Sequence, residues 1–136
     1  MKPFLAILLS IFTLSVKAQT SAAALTDTTV YTKNEVSVKP QFVGGTDRLG
    51  SFLAHTVRYP AVARERNTQG RVQISFIVEK DGKLTNFAVT KSVSKELDEE
   101  SMRVMKLMPA WKPARNNDQL VRCLVELPVT YTLNNR

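Results

Sequence analysis

The chain has 136 residues, 43% of them hydrophobic, which suffices for one domain with a packed core. Its single cysteine, Cys123, excludes a disulfide framework. The formal net charge of +7 comes from dispersed basic residues, which favours acidic partners or anionic surfaces and lacks the clustering of a nucleic-acid binder.

Lys2 precedes an apolar stretch from Phe4 to Val16, and Val16-Lys17-Ala18 supplies a small-x-small cleavage site before Gln19. Residues 1–18 therefore read as a signal peptide. The apolar run is about 13 residues, short of the roughly 20 that a spanning helix needs. No cysteine follows it, so no lipoprotein anchor is indicated. Cleavage removes Lys2 and Lys17 and no acid, leaving 17 basic residues against 12 acidic ones, a net +5. Residues 19–41 are rich in Ser, Thr, Ala and Val and read as an extended leader or tether reaching at most roughly 80 Å. Val36 and Val38 are candidates for a short strand.

Phe42-Val43-Gly44-Gly45 reads as a turn, with Thr46 or Asp47 capping a helix. Leu49, Phe52, Leu53 and Val57 form one helical face. Tyr59-Pro60 ends that helix, and Pro60 suits the first position of a short one running to about Arg66. Val72, Ile74, Phe76 and Val78 alternate with more polar neighbours, a period-two strand. Asp81-Gly82 marks a two-residue hairpin with positive φ at both positions. The return strand runs from Leu84 to about Lys91. Leu84 falls out of step with Phe87 and Val89, which predicts a bulge near Thr85-Asn86.

Asp98, Glu99 and Glu100 suit the positive start of a helix whose buried face is Leu97, Ser101, Val104, Met105 and Met108. Pro109 stops that helix, and Trp111 is expected to fold back over the sheet. Val121, Cys123, Val125, Leu127, Val129 and Tyr131 alternate along a third strand. The fold class is α+β: two main helices on one face of a three-stranded antiparallel sheet, ordered helix-strand-strand-helix-strand. The first strand is the most apolar and belongs in the centre. The third lies at an edge, where Pro128 is tolerated.

Catalytic chemistry has few candidates. His55 is the only histidine and sits beside the buried helical face. Metal or triad chemistry needs several convergent groups. Cys123 shares the inward face with Val121 and Val125 and reads as a small buried hydrophobe. The Met102, Met105, Met108 stripe reads as core. Gly44-Gly45 is too short for a phosphate loop. No catalytic residue, metal or cofactor is assigned. An edge strand, by contrast, offers unpaired N–H and C=O groups to an extended peptide.

Taken in order, Tyr59-Pro60-Ala61-Val62-Ala63, Gly70-Arg71-Val72, Asp81-Gly82-Lys83-Leu84, Leu97-Asp98-Glu99 and Trp111-Lys112-Pro113 resemble the C-terminal domain of the TonB family over roughly residues 42–133. The lead-in Pro40-Gln41-Phe42-Val43-Gly44-Gly45 is similar to the version in Bacteroidetes-type relatives. The resemblance implies a non-enzymatic binding module whose final strand pairs with the TonB box of an outer-membrane transporter. Carried over by position, the partner-binding residues are Arg58, Tyr59 and Pro60, and Val121, Arg122, Cys123, Leu124, Val125, Glu126, Leu127, Pro128 and Val129. Arg58 stands where the best-known members carry glutamine. Trp111, Val72, Phe76 and Val104 are expected to be structural.

The resemblance implies an envelope partner and no small-molecule substrate, and the open edge permits a homodimer; the dispersed charge and the export signal point away from nucleic acid. The resemblance places the cleaved chain in the periplasm. Full transducers of the family share an uncleaved inner-membrane anchor and a long Pro-rich spacer, and neither is evident here. Two alternatives remain: an uncleaved, inner-membrane-anchored short transducer, and a cell-wall-associated domain using Arg64, Arg66, Arg71, Lys112 and Arg115.

Overall fold

A computed structural model describes residues 28–134. Its elements in chain order are β1 (Val30–Tyr31), α1 (Gly45–Thr56), α2 (Ala61–Glu65), β2 (Gly70–Val78), β3 (Leu84–Lys91), α3 (Lys95–Lys106), β4 (Ala114–Asn116) and β5 (Gln119–Tyr131). The expected signal segment lies outside the described residues, as does the first part of the expected tether.

β2 is the centre, as its alternation predicts. Val72, Ile74, Phe76 and Val78 are fully buried, and β2 pairs antiparallel with both β3 and β5. The sheet differs from the expected three strands in its flanks. Its order is β1-β5-β2-β3, with β4 paired to β5. β1 runs parallel to β5, so the sheet is mixed. The chain between β1 and α1 also meets the segment after α3, through bridges from Val38 to Arg115 and from Gln41 to Lys112.

Local chemistry explains the main elements. The turn after β2 is a three-residue connection, not the expected two-residue one. Gly82 N–H bonds the Glu79 carbonyl, Glu79 N–H bonds the Lys83 carbonyl, and only Gly82 of the Asp-Gly pair has positive φ, at 87°. The bulge appears where the broken alternation placed it. The partner of β2 jumps from Ala88 to Thr85, and Asn86 adopts φ 54°. α3 starts earlier than the acidic run suggested. Ser94 caps it by accepting from Leu97 N–H, and Glu96 and Asp98 occupy its first turn. Glu100 sits a turn further in, largely buried and forked to Arg103, whose Nη2 donates to the Thr56 carbonyl at the end of α1.

The core lies between α3 and the inner sheet face. Leu97, Val104 and Met105 pack on β2, Val125, Val129 and Tyr131. Met102 and Met108 are half-buried at its margin. Trp111 folds over it, meeting Phe76 and Phe42 edge-on at centroid distances of 5.3 and 5.8 Å. A smaller cluster of Ala114, Val121 and Cys123 continues that face under β1, packed by Tyr31 and Val36.

Candidate functional site

β3 and β5 bound the main part of the sheet, and only one of them offers a regular edge. β3 carries two register shifts, and Lys83 and Lys91 flank it, features that discourage strand addition. β5 pairs with β2 in unbroken register from Cys123 to Tyr131.

The direction of the β5 main chain follows from that register. Glu79 N–H bonds Lys83, and the Gln73 carbonyl accepts from Thr90 Oγ1, so odd-numbered residues of β2 turn toward β3. Ile74, Phe76 and Val78 therefore turn toward β5, opposite Leu127, Val125 and Cys123. Leu124, Glu126, Pro128 and Thr130 then direct their main-chain groups to the other edge. Pro128 lacks an N–H, and here its ring breaks no bond to β2. β1 takes this edge at Arg122 and Cys123. Beyond Cys123 it carries no strand among the described residues, leaving N–H donors at Leu124, Glu126 and Thr130.

α1 lies beside this open stretch. Leu53, Ala54 and Val57 face Pro128, Val129 and Thr130 across a groove of about 380 Å³. The apolar stripe of α1 is only partly covered: no residue of the helix is fully buried. The Arg58-Tyr59-Pro60 segment follows directly. Tyr59 meets Tyr131, the last residue of β5, edge-on at 5.5 Å. Its hydroxyl donates to the Thr68 carbonyl, and the Arg64 guanidinium stands 5.5 Å from its ring. Pro60 caps α2, and Arg58 is exposed. The two segments singled out in the sequence thus meet at the C-terminal end of β5.

Within that set the side chains divide. Val121, Cys123, Val125 and Val129 point into the core, and burial pushes the Cys123 thiol up, which suppresses the reactive thiolate. Leu124, Glu126 and Pro128 are exposed, and Leu127 is half-buried. Arg122 forks onto Glu79 at 2.6 and 3.0 Å and reaches the Thr28 carbonyl at 3.1 Å. Thr85 donates to the same carboxylate. The Arg122 hydrogen bond holds the Glu79 carboxyl below its usual range.

A carboxyl pKa lowered by folding contributes stability above its unfolded pKa and loses it as pH falls through the folded one. Glu79→Gln is therefore expected to cost about 1–3 kcal/mol near neutral pH. The difference from the unsubstituted chain should shrink on acidification below the ordinary carboxylate range. Urea midpoints of both proteins across pH 2–7 check this, and a pH-independent gap would remove the ion pair as its cause.

Sequence reasoning missed two parts of this site. Leu53 and Val57 belong to the apolar helical face that the spacing predicts, and because no member of that stripe is fully buried it is also a groove wall. β1, with two residues, has too little pattern to be read at all. His55 is exposed, its Nδ1 2.7 Å from the Ser51 carbonyl. Among the described residues no three His, Cys, Asp or Glu side chains gather to hold a metal ion. No helix among them is long and apolar enough to cross a membrane.

A sequence profile described as Gram-negative bacterial TonB protein C-terminal matches residues 55–133. The chain belongs to the TonB C-terminal family. The fold is also that of a solved member. The Helicobacter pylori TonB C-terminal domain, seen by NMR in solution, superposes with a TM-score of 0.50 at 21% identity, covering 66% of this chain and 81% of that one. A second NMR structure of the same domain gives 0.48 at 23% identity, covering 66% and 95%. No curated protein matches the chain. β1 and most of α1 precede the residues matched to the TonB family, whereas the Tyr59-Pro60 segment and all of β5 lie within them.

Proposed function

We propose that this TonB-family domain is a periplasmic protein-binding module that captures an extended segment of an outer-membrane TonB-dependent transporter by strand addition to β5. The observation that carries this reading is the regular stretch from Leu124 to Thr130, open on one edge and flanked by the groove against α1. Main-chain hydrogen bonds supply affinity in such an arrangement, and side-chain pockets supply selectivity. The family supplies the class of partner, since its members are energy-transducer modules of the Gram-negative envelope.

Hydrogen exchange tests the reading at single-amide resolution. The amides of Leu124, Glu126 and Thr130 are expected to exchange quickly in the unliganded domain and slow down with a transporter-derived TonB-box peptide. Those of Cys123, Val125, Leu127 and Val129 are already paired to β2 and should barely change. Protection that left Leu124, Glu126 and Thr130 untouched would sink strand addition at this edge. Removal of residues 1–18 belongs to the same proposal: a soluble exported form with the mass of a chain starting at Gln19 supports it, and a full-length form at the inner membrane favours the anchored transducer.

A further inference from the structure

β3 ends the sheet on the side away from the β5 edge, and α3 packs against it. Two hollows open between them. One, of about 570 Å³, has Val89 and Met102 in its wall. The other, of about 290 Å³, has Leu84, Phe87 and Met108. Lys106 lines both, so they form one groove along β3 and the outer side of α3. From Leu84 to Val89 the groove runs roughly 17 Å, the length of about three helical turns.

The floor of this groove is apolar and uncovered. Of the methionine stripe on α3 only Met105 is fully buried. Met102 and Met108 are half-buried, as are Leu84, Phe87 and Val89. Leu107, next to Lys106, is 56% exposed, more than any other large hydrophobic among the described residues. Methionine side chains adapt their shape to an incoming apolar surface. The charges around the floor do not cancel. Asp98 is held by the Ser92 hydroxyl and the Val93 N–H, Glu99 faces Lys95 at 3.9 Å, and Arg103 is forked to Glu100. Lys106 has no such partner among the described residues. Lys83, in the wall of the second hollow, reaches only Asp81, at 4.0 Å. The groove is left with a positive rim.

We propose that this groove docks an amphipathic helix with an acidic flank, carried by a partner protein. Its apolar stripe, at i, i+3, i+4 and i+7, covers the methionines, Phe87 and Val89, and its acids meet Lys106 and Lys83. A strand does not fit here, because the register of β3 is broken and Asn86 takes φ 54°. A flat bilayer surface does not reach a floor recessed between α3 and β3. Among the described residues no helix of a second copy fits: α3 packs in its own core, α2 has five residues, and α1 carries a single acid, Asp47. The site stands whatever β5 binds. Because the two surfaces lie on opposite sides of the sheet, both can be occupied at once, and the domain can join two proteins.

The test uses the full exported chain with carbon-13-labelled methionine methyl groups and three blocked, alanine-based helical peptides. One carries a leucine stripe flanked by Glu, one the same stripe flanked by Lys, and one the Glu composition with the stripe scrambled. Met102 and Met108 report on the groove, and Met105 reports on the core below it. The Glu-flanked stripe is expected to move the Met102 and Met108 signals and leave Met105 in place. It should bind about three- to tenfold tighter than the Lys-flanked stripe at low salt. That preference should shrink at high salt and disappear in Lys106→Glu, whose circular dichroism should stay unchanged. Met102 and Met108 signals that no peptide moves would overturn the groove as a binding site. Equal binding of the striped and scrambled Glu peptides would overturn the helix as its occupant, and equal binding of the Glu and Lys stripes would overturn the acidic flank. Shifts of the two methionines with phosphatidylglycerol vesicles, or on concentrating the domain alone, in place of shifts with the striped peptide, would assign this face to a membrane or to a second copy and overturn the proposal.

Discussion

Trp111→Ala is expected to lower the stability of the domain by about 3–5 kcal/mol, the cost of emptying a large aromatic site in a core. The indole bridges Phe76 of the central strand and Phe42 before α1 and is 5% exposed. Its backbone is tied as firmly as its ring. Trp111 N–H bonds the Gly82 carbonyl at 2.8 Å, and a Cβ at Gly82 would lie 2.1 Å from the Trp111 carbonyl oxygen. The hairpin glycine therefore serves the packing of the tryptophan as well as its own turn. For a domain with the usual stability of about 5–15 kcal/mol, the loss is a large fraction of the total. Urea unfolding followed by circular dichroism measures it. A midpoint within error of the unsubstituted chain would mean that the ring does not support the core.

Glu126→Pro is expected to leave the domain folded and to weaken peptide capture by about tenfold or more, while Val125→Pro is expected to unfold it. The two positions are adjacent, and their main chains point in opposite directions. Glu126 directs its N–H to the open edge, where a captured strand would accept it. Val125 directs its N–H to Phe76 of β2, and proline there removes a ladder bond inside the sheet. Loss of one main-chain hydrogen bond, with the clash of the ring against an incoming strand, accounts for the binding effect. The sequence alone makes Val125 the natural target, because it lies mid-strand. Only the register shows that substitution there tests the fold instead. Peptide binding and melting temperature, measured on both variants, separate the cases. A folded Glu126→Pro that binds normally would place the partner elsewhere.

Much of this architecture is legible in the sequence, for physical reasons that differ from element to element. β2 is legible because its buried face leaves a strict period-two record from Val72 to Val78. The bulge at Asn86 is legible because an extra residue throws Leu84 out of phase with Phe87. The turn type after β2 is not, because Asp-Gly also serves a three-residue connection. β1 and β4 are too short to carry a period. β4 nevertheless left a signal in Asn117-Asp118, which have φ of 50° and 64° and join β4 to β5 in a tight turn that Asn and Asp tolerate well. The open edge of β5 is half legible. Pro128 and the alternation of β5 locate it, but which residues face outward depends on pairing partners far away in the chain.

β1 has a mechanical meaning as well as a topological one. It enters the sheet on the same edge that is open to a partner, and it is the element nearest the N-terminus among the described residues. Tension arriving through Thr28 meets first the two residue pairs of β1 and the grip of Arg122, then the bridges from Val38 to Arg115 and from Gln41 to Lys112, before it can reach the nine pairs that bind β5 to β2. The load path therefore contains a weak link before a strong one: β1 yields while β5, and any strand laid against it, holds.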